Sequence, residues 1–198
     1  MSGEALCGLW IDDDGRAWTC EAQANGDRQE RERPFRPFGW VSAAAPAEGM
    51  QIETLAGEGL FNHLVHADTL ERFEAYLKAA PDGAQRDVLR PYESQWLVQN
   101  RVRVYEGLPF AQLRRCQLDI ETGAAEPGVF GDPRKPGDRV LAIGLQCGAR
   151  RELLTLGEES DAGEKRLLLA LNDLIRELDP DVIEGHNIFK FDLDFLRQ

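Results

Sequence analysis

The chain has 198 residues and carries 35 Asp and Glu against 23 Lys and Arg, a formal net charge of −12. That balance argues against a protein whose main task is gripping duplex DNA, because phosphate contacts require clustered Lys and Arg, yet it suits an acidic site neutralised by a divalent cation. Cys7, Cys20, Cys116 and Cys147 show no C-x-x-C spacing, and no apolar stretch reaches membrane-spanning length, so a soluble chain in a reducing cytoplasm is expected, without a zinc site, disulfide framework or membrane partner.

The first forty residues read as β structure. Residues 6–11 are a short apolar run, Asp12-Asp13-Asp14-Gly15 a polar turn without EF-hand ligand spacing, and 17–20 a return strand. Residues 25–33 are polar and mixed in charge, a loop or an exposed strand end, and 34–41 bring aromatics at alternate positions into an apolar strand with edge prolines. A loop spans 43–48. His63 and His66, three apart with no third ligand near in sequence, read as ordinary polar residues. A helix begins at Asp68 or Thr69, with Leu70, Phe73, Tyr76, Leu77 and Ala80 as its apolar stripe, and stops at Pro81-Asp82-Gly83. Residues 96–98 and 101–105 read as strands, the second alternating Arg and Val. Arg101, Arg103, Arg114 and Arg115 either contact a phosphate backbone or sit on a solvated face.

A passage at Glu106-Gly107-Leu108-Pro109-Phe110 places a domain boundary between 106 and 107. Beyond it come a strand over 116–121, a breaker-rich excursion over 123–137, and strands over 140–147 and 152–156. A helix over 164–178 follows, with its leucines on one face and an end at Asp179-Pro180, then a short buried strand at Val182-Ile183 and a last helix from Ile188. Three strands, a helix, a fourth strand and a helix make an α/β unit (α+β overall), preceded by a small, mainly β domain. Gly-x-x-x-x-Gly-Lys is absent, so no nucleotide-binding phosphate loop is supported.

Two stretches carry chemistry. In Leu118-Asp119-Ile120-Glu121-Thr122, strand alternation sends Asp119 and Glu121 to one side and Leu118 and Ile120 to the core. Two carboxylates so close repel each other, and oxygen ligands suit Mg²⁺ or Mn²⁺, although Asp-x-Glu alone is more often a solvated strand face. Read as a helix from Ile188, the second stretch puts Phe191, Phe195 and Leu196 at i+3, i+7 and i+8, with Asp192 at i+4 in the same inward stripe. A buried unpaired carboxylate costs several kcal/mol, so Asp192 calls for a cation or strong donors. Asp194 instead shares the outer face with Lys190 and Arg197.

Together, Leu118-Asp-Ile-Glu-Thr122 and Gly185-His-Asn-Ile-Phe-Lys-Phe-Asp192-Leu resemble the first and second exonuclease motifs of family B DNA polymerases, and the boundary passage resembles that of some bacterial members. The resemblance is specific because both motifs occur in order and at a plausible separation; the proline-aromatic strand at 34–41 resembles one in the family's N-terminal domain. It implies an N-terminal polymerase-type domain over 1–106 and, over 107–198, a ribonuclease H-like mixed sheet with flanking helices: a 3′–5′ proofreading exonuclease domain whose third motif would lie beyond Gln198. It further implies a two-metal site of Mg²⁺ or Mn²⁺ held by the catalytic Asp119, Glu121 and Asp192, with Asn187 and Phe191 meeting the substrate. Asn187 would equally serve as a helix cap. The implied partners are a single-stranded DNA 3′ end and deoxynucleotides, in a nucleoid-associated cytoplasmic setting. With the fourth ligand outside it, the chain by itself would hold metal weakly and hydrolyse little. The alternatives are a noncatalytic nucleic-acid-binding or scaffolding module, and a stand-alone nuclease of the same superfamily.

Overall fold

A computed structural model describes residues 5–81 and 83–198. The chain divides into two compact units, Met1–Leu108 and Pro109–Gln198.

In the first unit β1 (Ala5–Ile11), β2 (Ala17–Ala22) and β3 (Arg28–Arg33) form an antiparallel meander. Asp12 closes the first turn: its carboxylate accepts from Arg16 N at 2.8 Å and from the Trp18 indole at 2.9 Å. The charged segment left open between loop and strand end is thus a full third strand, tied to β2 by Arg33 and Arg31 on the buried Glu21. Burial pushes the Glu21 carboxyl up, but hydrogen bonds from Arg33 and Thr19 and the two guanidinium charges outweigh it and hold the group below its usual range.

A second sheet, ordered β5-β6-β4-β7, contains β4 (Phe38–Val41), β5 (Met50–Thr54), β6 (His63–Ala67) and β7 (Arg86–Asp87). Helix α1 (Leu70–Lys78) starts where Thr69 accepts from Arg72 N at 3.2 Å, and it packs Phe73 and Leu77 onto Val41, Val65 and Ala67.

The two strands expected at 96–98 and 101–105 are not strands. Residues 92–100 form α2 (Tyr92–Asn100), whose buried positions are Gln95 and Trp96 while Val98 is exposed. Gln95 accepts from Phe38 N at 2.8 Å and donates to Leu89 O at 3.0 Å, and the Trp96 indole donates to Pro34 O at 3.0 Å. The helix is therefore fixed by polar side chains that hydrogen-bond neighbouring backbone, which hydrophobic periodicity does not register. Arg101, at φ 54°, ends it in the left-handed conformation, with Arg101 N on Val98 O and Val102 N on Leu97 O. The Arg/Val alternation is spent on this cap.

The second unit holds a four-stranded sheet ordered β10-β9-β8-β11, from β8 (Arg115–Gly123), β9 (Arg139–Cys147), β10 (Arg150–Thr155) and β11 (Val182–Glu184). β8, β9 and β10 pair antiparallel, and β11 joins β8 in parallel after crossing through α3 (Asp161–Leu178). Ser160 caps α3 by accepting from Gly163 N at 3.0 Å. Leu167, Leu171 and Leu174 bury against Cys116, Leu118, Ile120, Ile143 and Leu145, with Ile188 and Phe195 closing the same core. This is the mixed α/β sheet with flanking helices that the element order predicts.

The excursion between β8 and β9 has no strand or helix, but Asp138 organises it, accepting from Ala125 N and Asp132 N at 2.8 Å each. Those two N–H groups hold the Asp138 carboxyl below its usual range. Cys116 and Cys147, 31 positions apart, face each other across β8 and β9 as thiols, and burial pushes the Cys116 thiol up.

Candidate active site

Strand β8 alternates as its sequence dictates: Cys116, Leu118 and Ile120 are buried on the helix side, while Gln117, Asp119 and Glu121 are exposed on the other. Directly paired residues share a face, so the register extends each row across the sheet. Asp119 lies opposite Gly144 and then Leu153; Gln117 lies opposite Gln146, then Arg151, with Glu184 on its other side; Glu121 lies opposite Ala142, then Thr155. Both carboxylates thus face the smallest side chains available, which leaves open space above them. A bulge falls between Glu121 and Thr122, where β9 contributes the extra residue Leu141, and such a kink re-aims the neighbouring side chains.

A cleft of about 740 Å³ lies on this open face, lined among others by Gln117, Asp119, Gly144, Gln146, Arg151 and His186. Glu184 at its edge is held by Arg115 at 2.6 Å and by Gln117 at 3.3 Å, and the Arg115 hydrogen bond keeps the Glu184 carboxyl below its usual range.

β11 stops at Glu184, opposite Gln117, so among the described residues no strand lies beside the edge of β8 from Leu118 onward. Asp192 fills that gap: buried to 2 % exposure, its Oδ1 accepts from Ile120 N at 3.0 Å. Ile120 lies between Asp119 and Glu121, so the structure brings the second motif's carboxylate to the strand that carries the first. It does not draw the three into a ligand cluster: among the described residues no group of three or more His, Cys, Asp or Glu stands close enough to hold a metal.

The approach of Asp192 depends on Gly185. A Cβ there would fall well inside contact with Leu118 O and press on Ile188. Gly185→Ala is therefore expected to cost about 2–3 kcal/mol, because strand and turn must separate. Urea unfolding measures this, and an unchanged midpoint would show that the crossing relaxes freely.

The last helix is shorter than its periodicity suggests. Residues 186–191 are turns, and α4 (Asp192–Arg197) begins at Asp192 with Phe191 as its N-cap. Asn187, at φ 56°, does not cap that helix with its side chain; its carbonyl accepts from Lys190 N and Phe191 N, and the residue is exposed. Phe191 is half-buried against the core and beside the Phe195 ring, at 6.0 Å between centroids, whereas Phe189 is 83 % exposed. Gly144, Ala142, Arg151 and Gln146 were not legible as site residues, since only the strand register places them there.

Residues 85–198 match the family model for the exonuclease domain of DNA polymerase family B. The chain is 33 % identical over 97 residues to DNA polymerase 120R of Invertebrate iridescent virus 3, covering 40 % of this chain and 8 % of the relative. It is 36 % identical over 100 residues to the DNA polymerase delta catalytic subunit of Bos taurus, covering 43 % and 9 %. With DNA polymerase 2 of Aeropyrum pernix it shares 33 % over 99 residues, covering 50 % and 11 %. The chain therefore spans about a tenth of the length of these relatives. With the family model covering more than half of its residues, including both acidic motifs, the chain belongs to DNA polymerase family B through the exonuclease domain.

Proposed function

We propose that the chain is the N-terminal part of a family B DNA-directed DNA polymerase. In this reading its second unit supplies the opening of a 3′–5′ proofreading exonuclease and its first unit is the polymerase N-terminal domain. The observation that carries the proposal is the hydrogen bond from Ile120 N to Asp192, which joins two acidic motifs 72 positions apart at one place on β8. Asp119 and Glu121 present oxygen donors on the open face, and Asp192 brings a third carboxyl to the same strand. An all-carboxylate donor set suits Mg²⁺ or Mn²⁺ by its chemistry; an ion held by these residues, which would have to draw closer together than they stand, would supply Lewis-acid polarisation of water and of a phosphodiester. Gly144 and Ala142 keep side chains out of the space that a nucleotide would need. Asn187, exposed at the turn before α4, offers an amide to the strand, and deoxynucleotides would be the substrates of the polymerase activity.

The experiment is hydrolysis of a 5′-labelled single-stranded oligonucleotide by the full-length protein. Stepwise shortening from the 3′ end, dependent on Mg²⁺ or Mn²⁺ and stopped by a chelator, is expected. Binding without shortening under any divalent ion would sink the exonuclease reading in favour of a noncatalytic nucleic-acid-binding module.

A further inference from the structure

Arginines of the second unit are mostly spent on ion pairs. Arg114, Arg115, Arg139, Arg150, Arg166 and Arg176 each hold a carboxylate at 2.6–3.1 Å. Arg151 differs: it is exposed on β10, lines the cleft, and among the described residues no hydrogen bond or ion pair engages it. Its neighbour Glu152 points to the helix side, where Arg150 holds it at 2.7 Å. In a chain with 35 acidic residues, the cleft thus keeps a guanidinium unneutralised.

Two amides, Gln146 and Gln117, separate Arg151 from Glu184 at the far end of its row, and that carboxylate is already held by Arg115. Gln146 and Gln117 continue the Arg151 row across β9 and β8, so a cation and two amides line one side of the cleft while Asp119 and the gap at Gly144 line the next row. Adjacent rows are roughly 7 Å apart along a strand, and two strand spacings amount to roughly 10 Å. An extended guanidinium can therefore reach a group seated over the sheet beside Asp119 without reaching Asp119 itself. A planar fork of N–H donors is matched bidentately by a phosphate, whereas a base edge or a neutral sugar leaves its charge unanswered. Leu153, 69 % exposed between Arg151 and Thr155 on the same face of β10, adds apolar surface for a sugar or base.

We infer that Arg151 binds a backbone phosphate of the single strand lying in this cleft, on the nucleotide adjoining the linkage that faces Asp119. This rests on the exonuclease reading, and it assigns a positioning residue on β10, outside both acidic motifs. Arg151 would offset the repulsion between Asp119, Glu121 and the incoming phosphates and set how far the 3′ end enters.

The test is equilibrium binding of a fluorescent single-stranded oligothymidylate to the 198-residue chain by anisotropy, in chelator and across a salt series. Arg151→Ala is expected to weaken binding about tenfold and to flatten the slope of log affinity against log salt by about 0.7, the loss of one single-strand phosphate contact. Arg151→Lys should restore the slope while remaining weaker than the parent, since an ammonium keeps the charge and loses the fork. Arg176→Ala, an equal charge change on the helix packed against the other face, should alter neither quantity. Equal affinity and slope for the parent and Arg151→Ala would overturn the assignment, as would a parent that binds no single strand. Hydrolysis from the 3′ end by the full-length protein then separates the two failures: shortening keeps the exonuclease reading while Arg151 falls, and its absence removes both.

Discussion

Replacing Asp119 and Glu121 together by alanine in the full-length protein is expected to lower metal-dependent hydrolysis of a single-stranded 3′ end on the order of a thousandfold or more. Nucleotide addition and the fold should be left in place. The size follows from the role proposed for the pair: several kcal/mol of transition-state stabilisation depend on charge held at the reacting phosphate, and each 1.36 kcal/mol is a factor of about ten. The structure explains why the fold should survive. Both side chains stand on the bare face of β8, neither belongs to the core, and the β8–β9 ladder is made by backbone that alanine keeps. Folding should therefore change by no more than about 0.5 kcal/mol, as for other surface substitutions. Paired measurements of 3′-end shortening and primer extension check this. Equal loss of both activities in a normally folded variant would contradict separate sites, and undiminished shortening would remove these two carboxylates from the reaction.

How far the sequence discloses this site depends on which signals are local. β8 was legible because one face is apolar and the other polar at a period of two, which a strand converts directly into a core side and an open side. α3 was legible because its leucines repeat at helical spacing and Asp179-Pro180 ends it, although the Ser160 cap starts it three residues before the expected position. β5 and β6 gave little warning: Glu53, His63 and His66 interrupt their apolar residues, and only pairing with each other and with β4 makes them strands. α2 was misread because Gln95, an amide, is its most buried side chain, and the bonds that justify its burial go to residues 57 and 6 positions away. The space at Gly144, the thiol pair of Cys116 and Cys147, and the exposed place of Arg151 beside Gln146 all come from the β8–β9–β10 register, which no single segment encodes. The acids of both motifs were legible as types, but Asp192 was expected within a helix begun at Ile188. Instead it opens α4, and the turn before it, held by the left-handed Asn187, delivers the carboxylate to the edge of β8.

That placement gives Asp192 two jobs, which two substitutions should separate. As the acceptor for Ile120 N at 3.0 Å it completes the ladder where β11 ends, and as a carboxylate it is proposed to hold a divalent ion. Asp192→Ala abolishes both roles. It leaves a buried N–H without a partner, a loss of about 1–3 kcal/mol, together with a small void where the buried carboxylate stood. The expected result is about 2–4 kcal/mol lower stability in urea unfolding, with 3′-end hydrolysis lost as well. Asp192→Asn keeps an oxygen of the same reach, so the Ile120 bond can persist and stability should stay within about 1 kcal/mol of the parent. The amide carries no charge for a cation, so hydrolysis should still fall on the order of a hundredfold or more. The decisive comparison is therefore the asparagine variant, with urea unfolding and 3′-end shortening measured on the same preparation. If it unfolds like the parent and also hydrolyses like it, Asp192 is a structural acceptor for β8 and the metal ligand must be sought elsewhere. If it is as unstable as the alanine variant, the buried carboxylate stabilises the fold through its charge, and activity lost in either variant says nothing about metal.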